Sequence, residues 1–154
     1  MLASKPVIPV IGATVADWNQ QSFWYEPWGR SGVHKGIDIF GKKGVAIISP
    51  VNGVVVYSGA VSMGGNVIVI LSSDFKLHYL AHLESINKDN GLLVKASQII
   101  ATLGDSGNAK GKQPHVHYSI ASLIPIPWRF SHETQGWKKM FYVNPHVLLV
   151  NKQN

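Results

Sequence analysis

A chain of 154 residues, 45% of them hydrophobic, can bury one core, which excludes a disordered tail and argues for a single domain over residues 1–154. The net charge of +6 points to an acidic partner, but the basic residues are scattered and no aromatic–basic RNA-binding motif occurs, so nucleic acid is disfavoured. With no cysteine, a disulfide framework and a thiolate zinc site are excluded, and any metal must be held by His, Asp or Glu.

Residues 1–29 read as an extended lead-in segment, since Pro6 and Pro9 argue against a helix. Residues 1–15 make a poor signal peptide; an exported protein is expected to start beyond its signal here. No stretch is apolar for long enough to span a membrane. The run Phe23-Trp24-Tyr25-Glu26-Pro27-Trp28-Gly29-Arg30 suits a core better than a groove wall. From Gly32 to Phe40 a strand is expected, with Gly36 letting the backbone pass close to a neighbour. His34 and Asp38 stand an even number of residues apart, so both can face one side of it.

Short strands follow at Val45–Ile48, Val54–Tyr57 and Val67–Leu71. Asn52-Gly53 is expected to make a type I′ hairpin turn between the first two, and residues 59–65 a connection to the third. Phe75–Leu83 is a strand carrying His78 and His82, which the spacing puts on one face. Short helical turns fit at residues 83–90 and 135–141. Val94–Leu103 alternates weakly and ends at Gly104. After a glycine-punctuated loop over 104–111, Pro114 suits the first position of a strand, and His115 and His117 share one of its faces. Residues 122–154 form a C-terminal extension that packs on the core, with His132 and His146 at the surface. Many short strands at regular spacing define a mainly β, antiparallel domain, a sandwich or an open barrel.

The histidines and one acid make a chemical set. A catalytic zinc takes three protein ligands and leaves a position open, and two imidazoles plus a carboxylate suffice. His34, Asp38, His82 and the pair His115/His117 are the candidates. No HExxH motif occurs, so a general base is expected to be a histidine. Spacing does not say which of His115 and His117 would bind metal.

Three motifs in order now carry a resemblance: His34-Lys35-Gly36-Ile37-Asp38, Ala81-His82-Leu83 and His115-Val116-His117. With Ser49-Pro50-Val51-Asn52-Gly53-Val54-Val55 and Gly104-Asp105-Ser106-Gly107-Asn108, they make residues 30–121 resemble the lysostaphin-type zinc peptidoglycan endopeptidases. The resemblance implies a groove floored by the sheet, one Zn2+ per chain on His34, Asp38 and His117, and catalytic roles for His82 and His115. It implies His115 as the proton acceptor and His82 as the oxyanion stabiliser, roles that can be exchanged. Asn66, Tyr79 and Arg30 are candidate substrate contacts, with Trp24 and Trp128 as further wall candidates.

The chain departs from the family pattern in three places. Leu80 stands where a tyrosine is common, with Tyr79 one step earlier; Tyr118-Ser119 follows the HxH; and Ala96-Ser97 replaces a common glycine. The function implied is zinc-dependent hydrolysis of peptide bonds in peptidoglycan stems or cross-bridges, by a monomer in the periplasm or outside the cell. The alternative is an inactive peptidoglycan-binding or hydrolase-activating module on the same fold. A biotinyl or lipoyl carrier domain is disfavoured, since no lysine sits in an obvious hairpin turn.

Overall fold

Ile37 and Ile39 are fully buried, while Asp38 and Phe40 open to the other side; this period-two pattern makes Ile37–Phe40 the first strand, β1. The computed structural model describes residues 5–151. Beyond β1 it contains β2 (Ala46–Ile48), β3 (Gly53–Val61), β4 (Gly65–Ser72), β5 (Lys76–Ile86), β6 (Leu93–Val94), β7 (Ile99–Leu103), β8 (His115–Ser122), β9 (Tyr142–Val143) and the helix α1 (Pro145–Val150). The ends of the expected lead-in segment and C-terminal extension, residues 1–4 and 152–154, lie outside the described residues.

The strands form one antiparallel sheet that is not closed into a barrel. Its main path runs β1-β8-β5-β4-β3-β6, with β7 bridging β5 to β2 and β9 lying on β8. One face is dry: Ile68, Ile70, Leu80, Val116, Tyr118 and Ile120 are all buried there. Each aliphatic side chain so buried contributes about 1.5–3 kcal/mol relative to exposure. The other face of β1, β8 and β5 is open and becomes the floor of the site.

Several local expectations change. Asn52-Gly53 makes no hairpin, because β2 pairs with β7 and β3 pairs with β4 and β6. Ser49 and Val51 are buried, and Ser49 N and O bond Gln98 and Ser97, so the chain turns a corner here instead of doubling back. β3 and β4 run longer than expected, leaving only residues 62–64 between them. Residues 83–86 continue β5 as a strand on β7, since Ser85 and Ile86 find partners in Thr102 and Ala101. Residues 138–141 do form a 3-10 turn. The aromatic run splits: Trp24 is buried beside Tyr142, whereas Trp28 faces the groove. Helix α1 was not expected, although Asn144 caps it through His146 N at 3.0 Å and Pro145 starts it.

Candidate metal centre

Register builds the floor of the site. Asp38 of β1, His117 of β8 and Ala81 of β5 are direct cross-strand partners, so they stand in one row; Phe40 and His115 form the next row. His34 is not on the strand. It comes from the loop before β1, pinned by Trp24 N to its carbonyl at 2.6 Å and by its own N–H to Tyr25 O at 2.9 Å. Gly36 permits the approach, since a Cβ there would lie 2.3 Å from Tyr118 O on β8.

Three ligand atoms converge. His34 Nε2 lies 3.1 Å from Asp38 Oδ1 and 3.1 Å from His117 Nδ1, and His117 Nδ1 lies 3.0 Å from the same carboxylate oxygen. Donors about 2.0–2.1 Å from a tetrahedral zinc are about 3.3 Å from one another, so this triangle nearly matches one face of the zinc polyhedron. The tautomer agrees. His34 Nδ1 lies 3.1 Å from Ser22 O, and since a carbonyl only accepts, Nδ1 carries the proton and the Nε2 lone pair turns inward. Acceptors thus face acceptors, and a cation between them relieves the repulsion.

Protonation favours the same reading. Burial pushes the Asp38 carboxyl up, but the adjoining His117 and His34 imidazoles outweigh it and hold the group well below the usual carboxylate range. Burial lowers the pKa of His117 despite the neighbouring Asp38, which keeps the ring neutral as ligation requires.

Two further imidazoles flank the cluster. His115 Nδ1 donates to Gln113 O at 2.9 Å, leaving Nε2 3.9 Å from Asp38 Oδ2. His82 Nδ1 donates to Ser106 O at 2.9 Å, and its ring centroid is 5.0 Å from that of His115. Burial lowers the His82 pKa to about 4, reinforced by His115 and His117 and opposed by the bond to Ser106.

His82 reaches this face by breaking the strand alternation. Leu77, Tyr79 and Ala81 line the groove and Leu80 is fully buried, so strict period two would bury His82 as well. Its backbone is left-handed, at φ 64, and the pairing with β7 shifts register between Leu83 and Ser85, which is a bulge. His82 N donates to Gly64 O at 2.7 Å, and the Ser106 hydroxyl donates to Leu83 O at 2.7 Å.

Other sequence candidates fall unevenly. Tyr79 lines the groove, its ring 6.1 Å from that of His117, while Leu80 occupies the core. Arg30 lines the groove and is exposed. Asn66 is not in the lining: its amide donates to Leu83 O and Glu84 O at 3.1 and 3.3 Å, tying down the bulge behind His82. Trp24 and Trp128 are also outside the lining, Trp128 being 85% exposed. His78 does not share the face of His82; it is buried on the opposite side, 2.7 Å from Tyr118 Oη. Sequence reasoning gave no individual role to Ser106, and placed Trp28 in a run read as core rather than groove wall. Only the glycine-bracketed Ser106 carried any signal, as the hinge of a tight loop.

A histidine–aspartate–histidine cluster able to hold a metal ion, with two added imidazoles, lies on the open face of an antiparallel sheet in a groove of about 780 Å3, an arrangement of the metallopeptidase class. The chain belongs to peptidase family M23, whose model matches residues 32–125. It is 39% identical over 112 residues to the murein hydrolase activator NlpD of Escherichia coli, covering 71% of this chain and 30% of that protein. It is 34% identical over 113 residues to the L-Ala–D-Glu endopeptidase of Bacillus subtilis, covering 68% of this chain and 35% of that protein. The catalytic domain of lysostaphin, an antimicrobial peptidase from Staphylococcus simulans, matches with a TM-score of 0.57 at 32% identity, over 62% of this chain and 72% of that one. The chain spans about a third of the length of these curated relatives. Among the described residues no helix is long and apolar enough to cross a membrane.

Proposed function

We propose that the chain is a zinc-dependent endopeptidase that hydrolyses peptide bonds in peptidoglycan stems or cross-bridges. The observation that carries this reading is the 3.0–3.1 Å triangle of His34, Asp38 and His117, with two more imidazoles presenting Nε2 beside it. One zinc ion on those three residues supplies a charge that polarises the scissile carbonyl and acidifies a water. The groove, lined by Tyr79, Trp28 and Arg30 among others, holds the peptide in place.

The two outer histidines handle the protons. With its Nδ1 proton held by Ser106 O, neutral His82 offers a lone pair at Nε2, so it accepts a proton from the attacking water and returns it to the leaving amine. His115, whose Nε2 lies 3.9 Å from Asp38 Oδ2, is then the group left to stabilise the developing oxyanion. This exchanges the roles suggested by family resemblance alone, because a neutral His82 in this tautomer has no Nε2–H to donate. The test is release of new amines from purified peptidoglycan by zinc-loaded protein, abolished by a chelator.

The 39% identity to a murein hydrolase activator favours a second reading, a module that binds peptidoglycan or activates another hydrolase without cleaving. The presence of all five metal-site residues argues against it, and one zinc per chain without amine release would establish it. Either reading puts the protein in the cell envelope, periplasmic or extracellular. We further propose that it acts as a monomer, on peptidoglycan peptide and not on nucleic acid.

A further inference from the structure

The groove has a charge asymmetry that peptide hydrolysis alone does not require. Arg30, Lys35 and Lys112 line it, and Asp38, engaged by the imidazoles, is the one carboxylate in the lining among the described residues. None of the three cations is paired with a carboxylate among those residues; the ion pairs of the lysines lie elsewhere, as Lys43 with Glu84 and Asp105, Lys76 with Asp74, and Lys139 with Glu133. Lys35 donates only to Ser31 O, at 3.1 Å.

The cations bracket the metal centre. Lys35 lies two residues before β1, whose first residue, Ile37, pairs with Tyr118, and Arg30 lies in the Gly29–Ser31 turn of the preceding loop. Lys112 lies just before β8, whose first residue pairs with Phe40 at the other end of β1. Between these ends lies the Asp38–His117 row. The strand alone separates them by roughly 10 Å, the span of about three residues of an extended peptide.

We propose that this groove selects an acidic peptide, a peptidoglycan stem bearing free carboxylates on both sides of the scissile bond, over an uncharged oligoglycine bridge. Arg30, Lys35 and Lys112 are the residues that make the choice. The γ-linked D-glutamate of a stem peptide leaves its α-carboxylate free, and stem termini add another, whereas a glycine bridge has no side-chain charge. This inference rests on the peptidase site proposed above.

The test separates binding from turnover. The zinc-loaded His82→Ala protein is titrated calorimetrically with a stem tetrapeptide carrying free carboxylates, the same peptide with those groups amidated, and pentaglycine. The free acid is expected to bind at least about tenfold tighter than either neutral peptide, and the advantage shrinks as salt rises. Arg30→Glu and Lys112→Glu, both at exposed positions, remove the advantage by weakening the free acid far more than the amidated peptide, and leave zinc content unchanged. Equal binding of acid and amide, equal losses for both in the charge reversals, or no binding of the stem peptide overturns the inference. A clear preference for the acid in a protein that never cleaves refutes the endopeptidase reading alone. Equal cleavage of pentaglycine and stem by the wild type refutes the selectivity alone.

Discussion

Trp28 lies face to face on His34, with ring centroids 4.0 Å apart and 21° between the ring planes. The indole thus backs an imidazole whose Nδ1 is already tied to Ser22 O, so the His34 ring is fixed in both tilt and tautomer. Groups that orient a metal-binding histidine this way typically change metal affinity by about 10–100-fold when removed. Trp28→Ala is therefore expected to weaken zinc binding at least about tenfold, with Trp28→Phe retaining most of the affinity; competition against a chromogenic chelator reads both. Unchanged affinity in the alanine variant would remove Trp28 from the support of the site.

Gly65 and Gly107 meet backbone to backbone next to Ser106. Gly65 has φ 67, and a Cβ there would lie 2.4 Å from Gly107 N and 2.4 Å from Ser106 Oγ. The same loops hold His82 through Gly64 O and Ser106 O. Gly65→Ala is expected to cost at least about 2 kcal/mol of stability and to reduce turnover more than zinc content, as His82 is displaced. Denaturant melts, zinc analysis and kinetics on one sample distinguish this from simple unfolding.

Ser97 offers a gain. Its backbone is left-handed at φ 71 and it is exposed. Ser97→Gly is expected to stabilise the protein by about 1 kcal/mol without altering activity, read as a raised denaturation midpoint.

His78 makes stability depend on pH. Burial lowers its pKa to about 4, with Lys76 assisting and Asp74 opposing. An unfolded histidine titrates near 6.5, so between these values the unfolded chain takes up a proton that the folded chain refuses. Stability is therefore full above about pH 6.5 and falls as the pH drops to about 4, by about 3 kcal/mol from this residue. In His78→Phe the loss of stability between neutral pH and pH 4 should be smaller by that amount, whatever its stability at pH 7; an unchanged acid limb would contradict the account.

Much of the site was legible because period two carries it. His115 and His117 share a face by spacing, and Asp38 joins them through the register of β1 on β8. His34 reached the cluster by a different route, since its loop does not follow the alternation that suggested the pairing. His82 was recognisable only as part of a family motif. By alternation it belongs with Leu80 in the core, and the bulge that turns it round depends on Asn66, Gly64 and Ser106, which are distant or unpatterned in sequence. The Asn52-Gly53 turn misled for a related reason: local turn chemistry was overridden by the tertiary partners of Ser49 and Val51.

The central claim is that three side chains gather one zinc ion while His82 moves protons beside it. Its most direct test is digestion of purified peptidoglycan by the zinc-loaded wild type and by His82→Ala, followed by mass spectrometry of the fragments and zinc analysis of both proteins. The wild type should release fragments with new free amines, and His82→Ala should keep one zinc per chain while losing about two to three orders of magnitude in rate. Full-rate cleavage by His82→Ala, or no new amine from a wild type that holds zinc, would contradict it.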